Sequence, residues 1–215
     1  MTIKVIIQGY YSSDYRDKMR CFLAIELDEE INLKINEFKK DLINELNSKN
    51  ENNGNNTNNT NNKIKFVEDE NIHITVKFLG DISEKQLEDL KKVKLNINKN
   101  IEVKGLGIFP NKYEPRVLWI GISDLEEEFK EVDKKLSKIG FKREYGVNYT
   151  KKIIAHLTIG RIKNINYDTK KWILQLVKNN KSLEFGSCNI NKISLKKSTL
   201  TPNGPIYETI HEYKK

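Results

Sequence analysis

Long apolar runs are missing from this sequence. The longest uninterrupted apolar stretches have four or five residues, whereas a membrane-spanning helix needs about 20. The N-terminus also lacks the apolar core of about 7–15 residues that a secretory signal peptide requires. We therefore expect an intracellular, cytoplasmic protein that makes no membrane contact.

Cysteine and histidine are scarce as well. The two cysteines, Cys21 and Cys188, stand in no recognisable motif. This excludes a disulfide framework and a cysteine-based zinc site, and it indicates reduced thiols. Only three histidines occur, so any histidine chemistry has few candidates.

Acidic residues are outnumbered by basic ones. The chain has 30 Asp and Glu against 38 Lys and Arg, a net charge of +8. A basic balance of this size favours a polyanionic partner such as RNA. The alternative from charge alone is a lysine-rich surface that is merely solvated.

The composition divides the chain into unequal parts. Residues 1–18 read as an N-terminal extension, and 19–215 as a single bilobal domain that is long enough to bury a core. Residues 49–62 are asparagine-rich with almost no apolar side chain, so they cannot offset their own ordering entropy. We interpret this tract as a disordered loop insertion rather than a prion-like segment.

Helix and strand patterns alternate irregularly along the domain. Helices are predicted to start at Asp28, Ser83, Asp124 and Asp168. Strands are predicted at 20–27, 63–67, 72–79, 101–109, 116–122, 153–162, 189–200 and 205–213. Because this order lacks strict β-α-β alternation, it favours an α+β fold with an antiparallel sheet.

A short motif occurs twice in this pattern. Residues 73–76 read H-I-T-V and residues 156–159 read H-L-T-I, 83 positions apart, with a predicted helix before and after each. In a strand, residues i and i+2 share a face, so His73 lies beside Thr75 and His156 beside Thr158. We expect two similar lobes, related by a pseudo-two-fold axis, that bring the motif strands together across a cleft.

The paired motifs suit phosphate chemistry. Two imidazoles can act as acid and base near neutral pH, and two hydroxyls can donate to phosphate oxygens. A zinc site is the other interpretation of paired histidines, but a third ligand is missing, because His211 stands alone near the C-terminus. We expect no metal and no cofactor.

Five stretches of the sequence resemble a known family. They are R-C-F-L-A-I-E-L, E-N-I-H-I-T-V-K-F-L-G, R-V-L-W-I-G-I, A-H-L-T-I-G-R and S-T-L-T-P-N-G-P-I-Y, within residues 19–213. Together they resemble the 2H phosphoesterases and, more narrowly, the RNA 2′,3′-cyclic phosphodiesterases, also called 2′-5′ RNA ligases. The resemblance implies a bilobal α+β fold, with two antiparallel sheets flanking a central cleft and helices outside.

The resemblance also implies roles for the motif residues. His73 would be the proton donor and His156 the proton acceptor in hydrolysis of a 2′,3′-cyclic phosphate to a 2′-phosphate. Thr75 and Thr158 would be catalytic partners of these histidines. The reverse reaction with an RNA 5′-hydroxyl would form a 2′-5′ bond without ATP.

Two basic residues are further candidates for substrate binding. The family's phosphate-binding arginine corresponds to Arg161, but strand alternation turns that position away from His156 unless a twist or bulge at Gly160 re-aims it. Lys77 shares its parity with His73 and could add positive charge to the site. A solvated lysine explains position 77 equally well.

The expected partner is RNA with 2′,3′-cyclic phosphate ends, tRNA-like fragments included, and the protein is expected to be a monomer. One alternative is an RNA-binding module without turnover, although binding alone does not need a titratable pair. Another is a related phosphodiesterase for a different phosphoester, such as 2′-5′ oligoadenylate or a cyclic ADP-ribose derivative.

Overall fold

The computed structural model describes residues 18–52, 63–142, 153–202 and 204–214. The strands in these ranges are β1 (Met19–Ile25), β2 (Lys63–Phe66), β3 (Ile74–Ile82), β4 (Lys99–Phe109), β5 (Val117–Ile122), β6 (His156–Lys163), β7 (Glu184–Ile190), β8 (Lys192–Thr201) and β9 (Gly204–Lys214). The α-helices are α1 (Glu29–Asn52), α2 (Glu84–Lys92), α3 (Glu126–Ser137) and α4 (Tyr167–Asn179). The predicted α+β class is confirmed.

All strand pairs of the sheet are antiparallel. The order is β7-β4-β5-β6-β3-β1-β8-β9, and β2 pairs with β6 beside this path. The two motif strands, β3 and β6, meet at the centre through one residue pair, Ile74 with Leu157. The two expected sheets are therefore halves of one sheet, joined where the repeated motifs lie.

Apolar side chains of the central strands and of the helices form the core. Fully buried residues include Leu23 and Ile25 of β1, Leu118 and Ile120 of β5, and Leu157 of β6. Each such aliphatic side chain contributes about 1.5–3 kcal/mol when it leaves water. Burial of one face leaves the opposite face of the motif strands for polar side chains.

Helix α1 packs on this core through residues that share one side of the helix. Ile31, Ile35 and Leu42 are buried, and Phe38 packs partly buried against them. The helix continues to Asn52, so it includes the first four residues of the asparagine tract. Residues 1–17 and 53–62 lie outside the described ranges.

Two of the four predicted helix starts are confirmed. Asp28 accepts a hydrogen bond from the Ile31 amide at 3.0 Å, and Ser83 forms a capping box with Gln86. The other two predictions are wrong by one or two residues. Asn166 rather than Asp168 caps α4, while α3 starts after Leu125 without a side-chain cap.

Strand β7 was not predicted from the sequence. It is the outermost strand beside β4, and Phe185, Cys188 and Ile190 are its buried residues. The irregular spacing of these residues hides the two-residue period. Gly186, with φ of 128°, interrupts it, and the register with β4 shifts at this point.

Both cysteines are buried and unpaired. Burial raises the pKa of the Cys21 thiol to about 11 and also raises the pKa of Cys188, so neither is a reactive thiolate. Among the helices of the described ranges, none combines the length and apolarity needed to cross a membrane.

Candidate active site

The two motifs present their polar residues on the same face of the sheet. Ile74 and Leu157 are fully buried, whereas the histidine and threonine of each motif are half-buried on the side facing away from the core. Because Ile74 pairs with Leu157 in an antiparallel ladder, His73 stands level with Thr158 and Thr75 with His156. The structure thus brings these four side chains together, as the alternation predicts.

Backbone carbonyls hold both imidazoles in the same way. Nδ1 of His73 donates to the Asn71 carbonyl oxygen at 2.8 Å, and Nδ1 of His156 donates to the Ile154 carbonyl oxygen at 2.8 Å. A carbonyl oxygen only accepts, so Nδ1 carries a proton and Nε2 is the reacting nitrogen. Nε2 of His73 lies 3.1 Å from the hydroxyl oxygen of Thr75.

Burial dominates the electrostatics of the two rings. It lowers the pKa of His73, and the positive charges of Lys196 and Arg161 lower it further, while the Asn71 carbonyl and Glu26 work in the opposite direction. In the free protein His73 therefore favours its neutral form more than an exposed imidazole does.

The second ring has fewer electrostatic neighbours. Burial lowers the pKa of His156, and its hydrogen bond to the Ile154 carbonyl partly offsets this effect. A neutral imidazole whose Nδ1 carries the proton is the form that accepts a proton at Nε2. The environment of His156 thus suits a general base.

Aromatic rings flank each histidine. The His73 ring lies 5.0 Å from Phe22 and 5.3 Å from Tyr207, measured between ring centroids. The His156 ring lies 5.0 Å from Phe109 and 6.1 Å from Trp119. These residues come from β1, β9, β4 and β5, so the local motif gave no signal for them.

The Trp119 indole occupies space that is open only because the adjacent strand β4 has a glycine, Gly107, at this point. A Cβ atom on Gly107 would lie 2.0 Å from the indole, so a side chain there would clash. The indole Nε1 of Trp119 is buried and has no hydrogen-bond partner in the part of the chain that the structure describes. It is a buried donor on the ring that lies beside His156.

A bulge in β6 turns Arg161 toward the site. The β5–β6 register passes from Thr158 to Gly160, which leaves Ile159 as an extra residue. Both Ile159 and Gly160 are buried, so Arg161 returns to the face of Thr158. The guanidinium lies within electrostatic reach of His73. The bulge that could re-aim this arginine is present.

A second bulge, in β3, turns the Lys77 side chain away from the site and into the core. The β1–β3 register passes from Thr75 to Lys77, with Val76 as the extra residue. The side chain of Lys77 is 2% exposed, and its Nζ lies 2.6 Å from Asp133 and 3.0 Å from the Lys142 carbonyl. The predicted orientation of Lys77 toward the substrate is wrong, because the bulge reverses the alternation after Thr75.

Phe78 occupies the site face in place of Lys77. Phe78 is 65% exposed, and its ring centroid lies 6.3 Å from that of Phe22. Phe78 stands five residues after His73, as Arg161 stands five residues after His156. This equal offset was a signal in the sequence that the prediction did not use.

A carboxylate network borders the site next to His73. Glu26 lies 2.6 Å from the ammonium of Lys196 and 3.4 Å from that of Lys192. The Ser194 hydroxyl donates to Glu26 at 3.4 Å, and Lys196 also donates to the Thr209 hydroxyl at 3.1 Å. Sequence reasoning missed this network, because its members come from three separate strands or their ends.

The turn before His73 is fixed by a buried lysine. Lys39 of α1 is 2% exposed, and its ammonium lies 2.6 Å from both the Asp69 carboxylate and the Val67 carbonyl. Asp69 opens the short 3-10 helix that ends at Asn71, the residue whose carbonyl orients His73. Lys39 thus contacts the turn that positions the His73 ring.

No group of three or more His, Cys, Asp or Glu side chains with metal-binding geometry occurs within residues 18–52, 63–142, 153–202 and 204–214. His211, the third histidine, packs edge-on against Tyr213 at 4.6 Å.

The chain is similar to known proteins over most of its length. The model of the family described as LigT like Phosphoesterase matches residues 55–119 and 122–207. A protein of Methanocaldococcus jannaschii named RNA 2′,3′-cyclic phosphodiesterase is 42% identical over 198 residues, which cover 91% of this chain and all of that protein. A protein of Aquifex aeolicus with the same name is 40% identical over 154 residues, covering 69% of this chain and 80% of the relative.

Solved structures show the same fold. A Thermus thermophilus protein superposes with a TM-score of 0.65 at 21% identity, covering 91% of this chain and 97% of the other. E. coli LigT complexed with 3′-AMP superposes with a TM-score of 0.64 at 15% identity, covering 92% and 98%. At these identities the likeness concerns the fold alone, whereas the family match and the closer relatives carry the assignment: this chain belongs to the LigT-like phosphoesterase family.

Proposed function

We propose that the protein hydrolyses 2′,3′-cyclic phosphate ends of RNA to 2′-phosphate ends, with His73 as general acid and His156 as general base. The observation that carries this proposal is the matched geometry of the two rings. Each donates from Nδ1 to the carbonyl of the residue two positions earlier and keeps Nε2 for chemistry. Relatives at 42% and 40% identity carry the name of this activity.

The proposed reaction is one in-line displacement at phosphorus. Nε2 of His156 takes a proton from water as the water oxygen bonds to phosphorus. The bond from phosphorus to the ribose 3′-oxygen breaks, and Nε2–H of His73 protonates that oxygen. The charges of the two rings are then exchanged, and proton transfer with solvent restores them.

The remaining polar groups would stabilise the phosphate. Thr75 and Thr158 can each donate a hydroxyl hydrogen to a non-bridging oxygen, and Arg161 can pair with the charge that grows in the transition state. A bound phosphate also raises the pKa of both imidazoles, because nearby negative charge favours the imidazolium. This counteracts the effect of burial on His73 and makes it a competent acid in the complex.

The exposed ring of Phe78 and the adjacent ring of Phe22 offer a surface for a nucleobase. Unpaired bases of RNA ends are commonly held by stacking on aromatic side chains. The same displacement, with an RNA 5′-hydroxyl in place of water, would form a 2′-5′ bond.

The deciding experiment is hydrolysis of a nucleoside 2′,3′-cyclic phosphate, with the 2′-phosphate product separated from its 3′ isomer. His73→Ala and His156→Ala should each lower turnover by about 10²- to 10⁴-fold. Thr75→Ala and Thr158→Ala should cost roughly tenfold to a thousandfold, as expected for single donors to a developing charge. His211→Ala is the matched histidine control and should retain activity.

Near-normal turnover in either catalytic-histidine variant would contradict the two-histidine mechanism. Absence of turnover in the unmodified protein, together with measurable RNA affinity, would instead support an RNA-binding module. Turnover of a 2′-5′ oligoadenylate in preference to the cyclic phosphate would identify a relative with another substrate.

A further inference from the structure

The short strand β2 and the end of β6 form a ladder with a strict division between its two faces. Ile64 pairs with Ile162 and Phe66 with Gly160. Ile162 is buried and the other two apolar side chains pack partly buried against the core. The alternate positions include three exposed basic side chains: Lys65, Arg161 and Lys163.

These basic side chains lie on the face of the candidate active site. Arg161 interacts electrostatically with both His73 and Tyr207, so its side chain lies on the face of the sheet that carries the candidate active site. Lys65 is the direct antiparallel partner of Arg161, and directly opposed residues share a face. The Lys65 ammonium also lies 3.6 Å from where a Cβ atom on Gly204 would stand, so it reaches the β8–β9 turn.

The pairing places two basic side chains directly opposite each other. Like charges placed directly opposite each other across two strands destabilise a sheet. An anion bound between Lys65 and Arg161 would replace this repulsion with attraction to both side chains. A phosphate at this point would therefore be attracted by both side chains.

The ladder also has a direction. Strand β6 runs from His156 at the centre of the site to Lys163 at its other end. Arg161 and Lys163 are two residues apart on one face, a rise of about 6.6 Å. Successive phosphates of an extended RNA strand are separated by a distance of the same order.

From this geometry we propose that Lys65, Arg161 and Lys163 form a basic track that binds backbone phosphates of the RNA strand leading to the cyclic end. The inference rests on the proposed function and deepens it, because it makes the preferred substrate a polynucleotide rather than a single nucleotide. A cyclic mononucleotide reaches the histidines, the threonines, Arg161 and the aromatic surface, but neither lysine. An oligonucleotide also places phosphates beside the two lysines.

The test compares two substrates in the same enzyme preparations. One is a nucleoside 2′,3′-cyclic phosphate, and the other is a short single-stranded oligoribonucleotide with the same cyclic end. The kcat/KM for the oligonucleotide, divided by that for the mononucleotide, should fall roughly tenfold in the double variant Lys65→Gln with Lys163→Gln. For the oligonucleotide, the dependence of log kcat/KM on log salt should become shallower by about 0.7 for each lysine removed.

Lys178→Gln is the matched control, since Lys178 is an exposed lysine on helix α4. It should leave both the ratio and the salt slope unchanged. An unchanged ratio in the double variant, or an equal loss on both substrates, would overturn the track.

Failure of the proposed function would look different. In that case the unmodified protein turns over neither substrate. Binding of a labelled oligoribonucleotide to the unmodified protein and to the double variant then decides the track. Equal affinities with equal salt slopes would overturn it, and weaker, less salt-dependent binding in the variant would support it.

Discussion

The ammonium of Lys77 lies 2.6 Å from the carboxylate of Asp133, and both side chains are at most 2% exposed. This buried ion pair joins the motif strand β3 to helix α3. Because the bulge at Val76 directs Lys77 into the core, the same pair helps to hold the backbone that presents Thr75 and Phe78. Lys77, a candidate substrate contact from the sequence, instead stabilises the packing of β3 on α3 behind the site.

Removal of one partner should therefore destabilise the protein strongly. Asp133→Ala leaves an uncompensated buried ammonium and should lower the free energy of unfolding by about 3–5 kcal/mol. The double change Lys77→Met with Asp133→Leu should recover most of that loss, since apolar residues of similar volume replace buried pairs well. Denaturant unfolding measures the free energy of unfolding of both variants. Glu88→Gln in an exposed ion pair with Lys91 should change nothing measurable, and an Asp133→Ala protein as stable as the unmodified one would refute the argument.

Lys39 should affect catalysis through the turn before His73. Lys39→Met frees Asp69 and Val67, so the Asn71 carbonyl should hold the His73 ring less well. That hydrogen bond raises the pKa of His73 against the stronger effect of burial, so its weakening should lower the pKa. We expect kcat to fall about tenfold with little change in KM, and the alkaline limb of the pH–rate profile to move to lower pH.

The matched control for this change is Lys40→Met, the exposed neighbour on the same helix, which should behave like the unmodified protein. A Lys39→Met protein that is less stable but keeps its pH profile would show that the lysine supports the fold only.

Glu26 and Lys196 should shift the pH–rate profile in opposite directions. In the proposed mechanism His73 acts as an acid only while protonated, so its pKa sets the alkaline limb of kcat/KM. Beyond the dominant effect of burial, Lys196 lowers this pKa and Glu26 raises it. Lys196→Gln should therefore move the alkaline limb to higher pH, and Glu26→Gln should move it to lower pH. The acidic limb, set by His156, should stay in place in both.

These profiles are measured on the cyclic mononucleotide at constant ionic strength. Glu208→Gln, at an exposed position of β9, is the control. Shifts of the same sign in the two variants would mean that the network acts through structure rather than through charge on His73.

The two motif histidines should behave as a unit in the proposed reaction. Once either ring is lost, proton transfer is incomplete and the other ring has less to contribute. The double change His73→Ala with His156→Ala should thus cost far less than the product of the two single losses. The measurement is turnover of the cyclic mononucleotide by the two single variants and the double variant. Multiplicative losses would indicate two independent contributions.

Local sequence was sufficient to predict which motif residues face the site and which face the core. The apolar positions Ile74, Val76, Leu157 and Ile159 alternate with the histidines and threonines, and a two-residue period separates core from site in any strand. The same local pattern predicted the α+β class and the caps at Asp28 and Ser83. It also exposed the duplication, because a repeated motif is visible without knowledge of pairing.

Tertiary structure decided how the residues after each motif are oriented. By alternation alone, Lys77 faces the site and Arg161 faces away, yet one bulge in each strand reverses both assignments. The position of a bulge depends on the register of the neighbouring strand, β1 or β5, which lies far away in sequence. Strand neighbours likewise decide three further features: the aromatic rings beside the histidines, the Glu26 network, and the proposed basic track on β2 and β6. Those contacts arise only when the chain folds, because pairing between distant strands is a property of the whole sheet and not of any one segment.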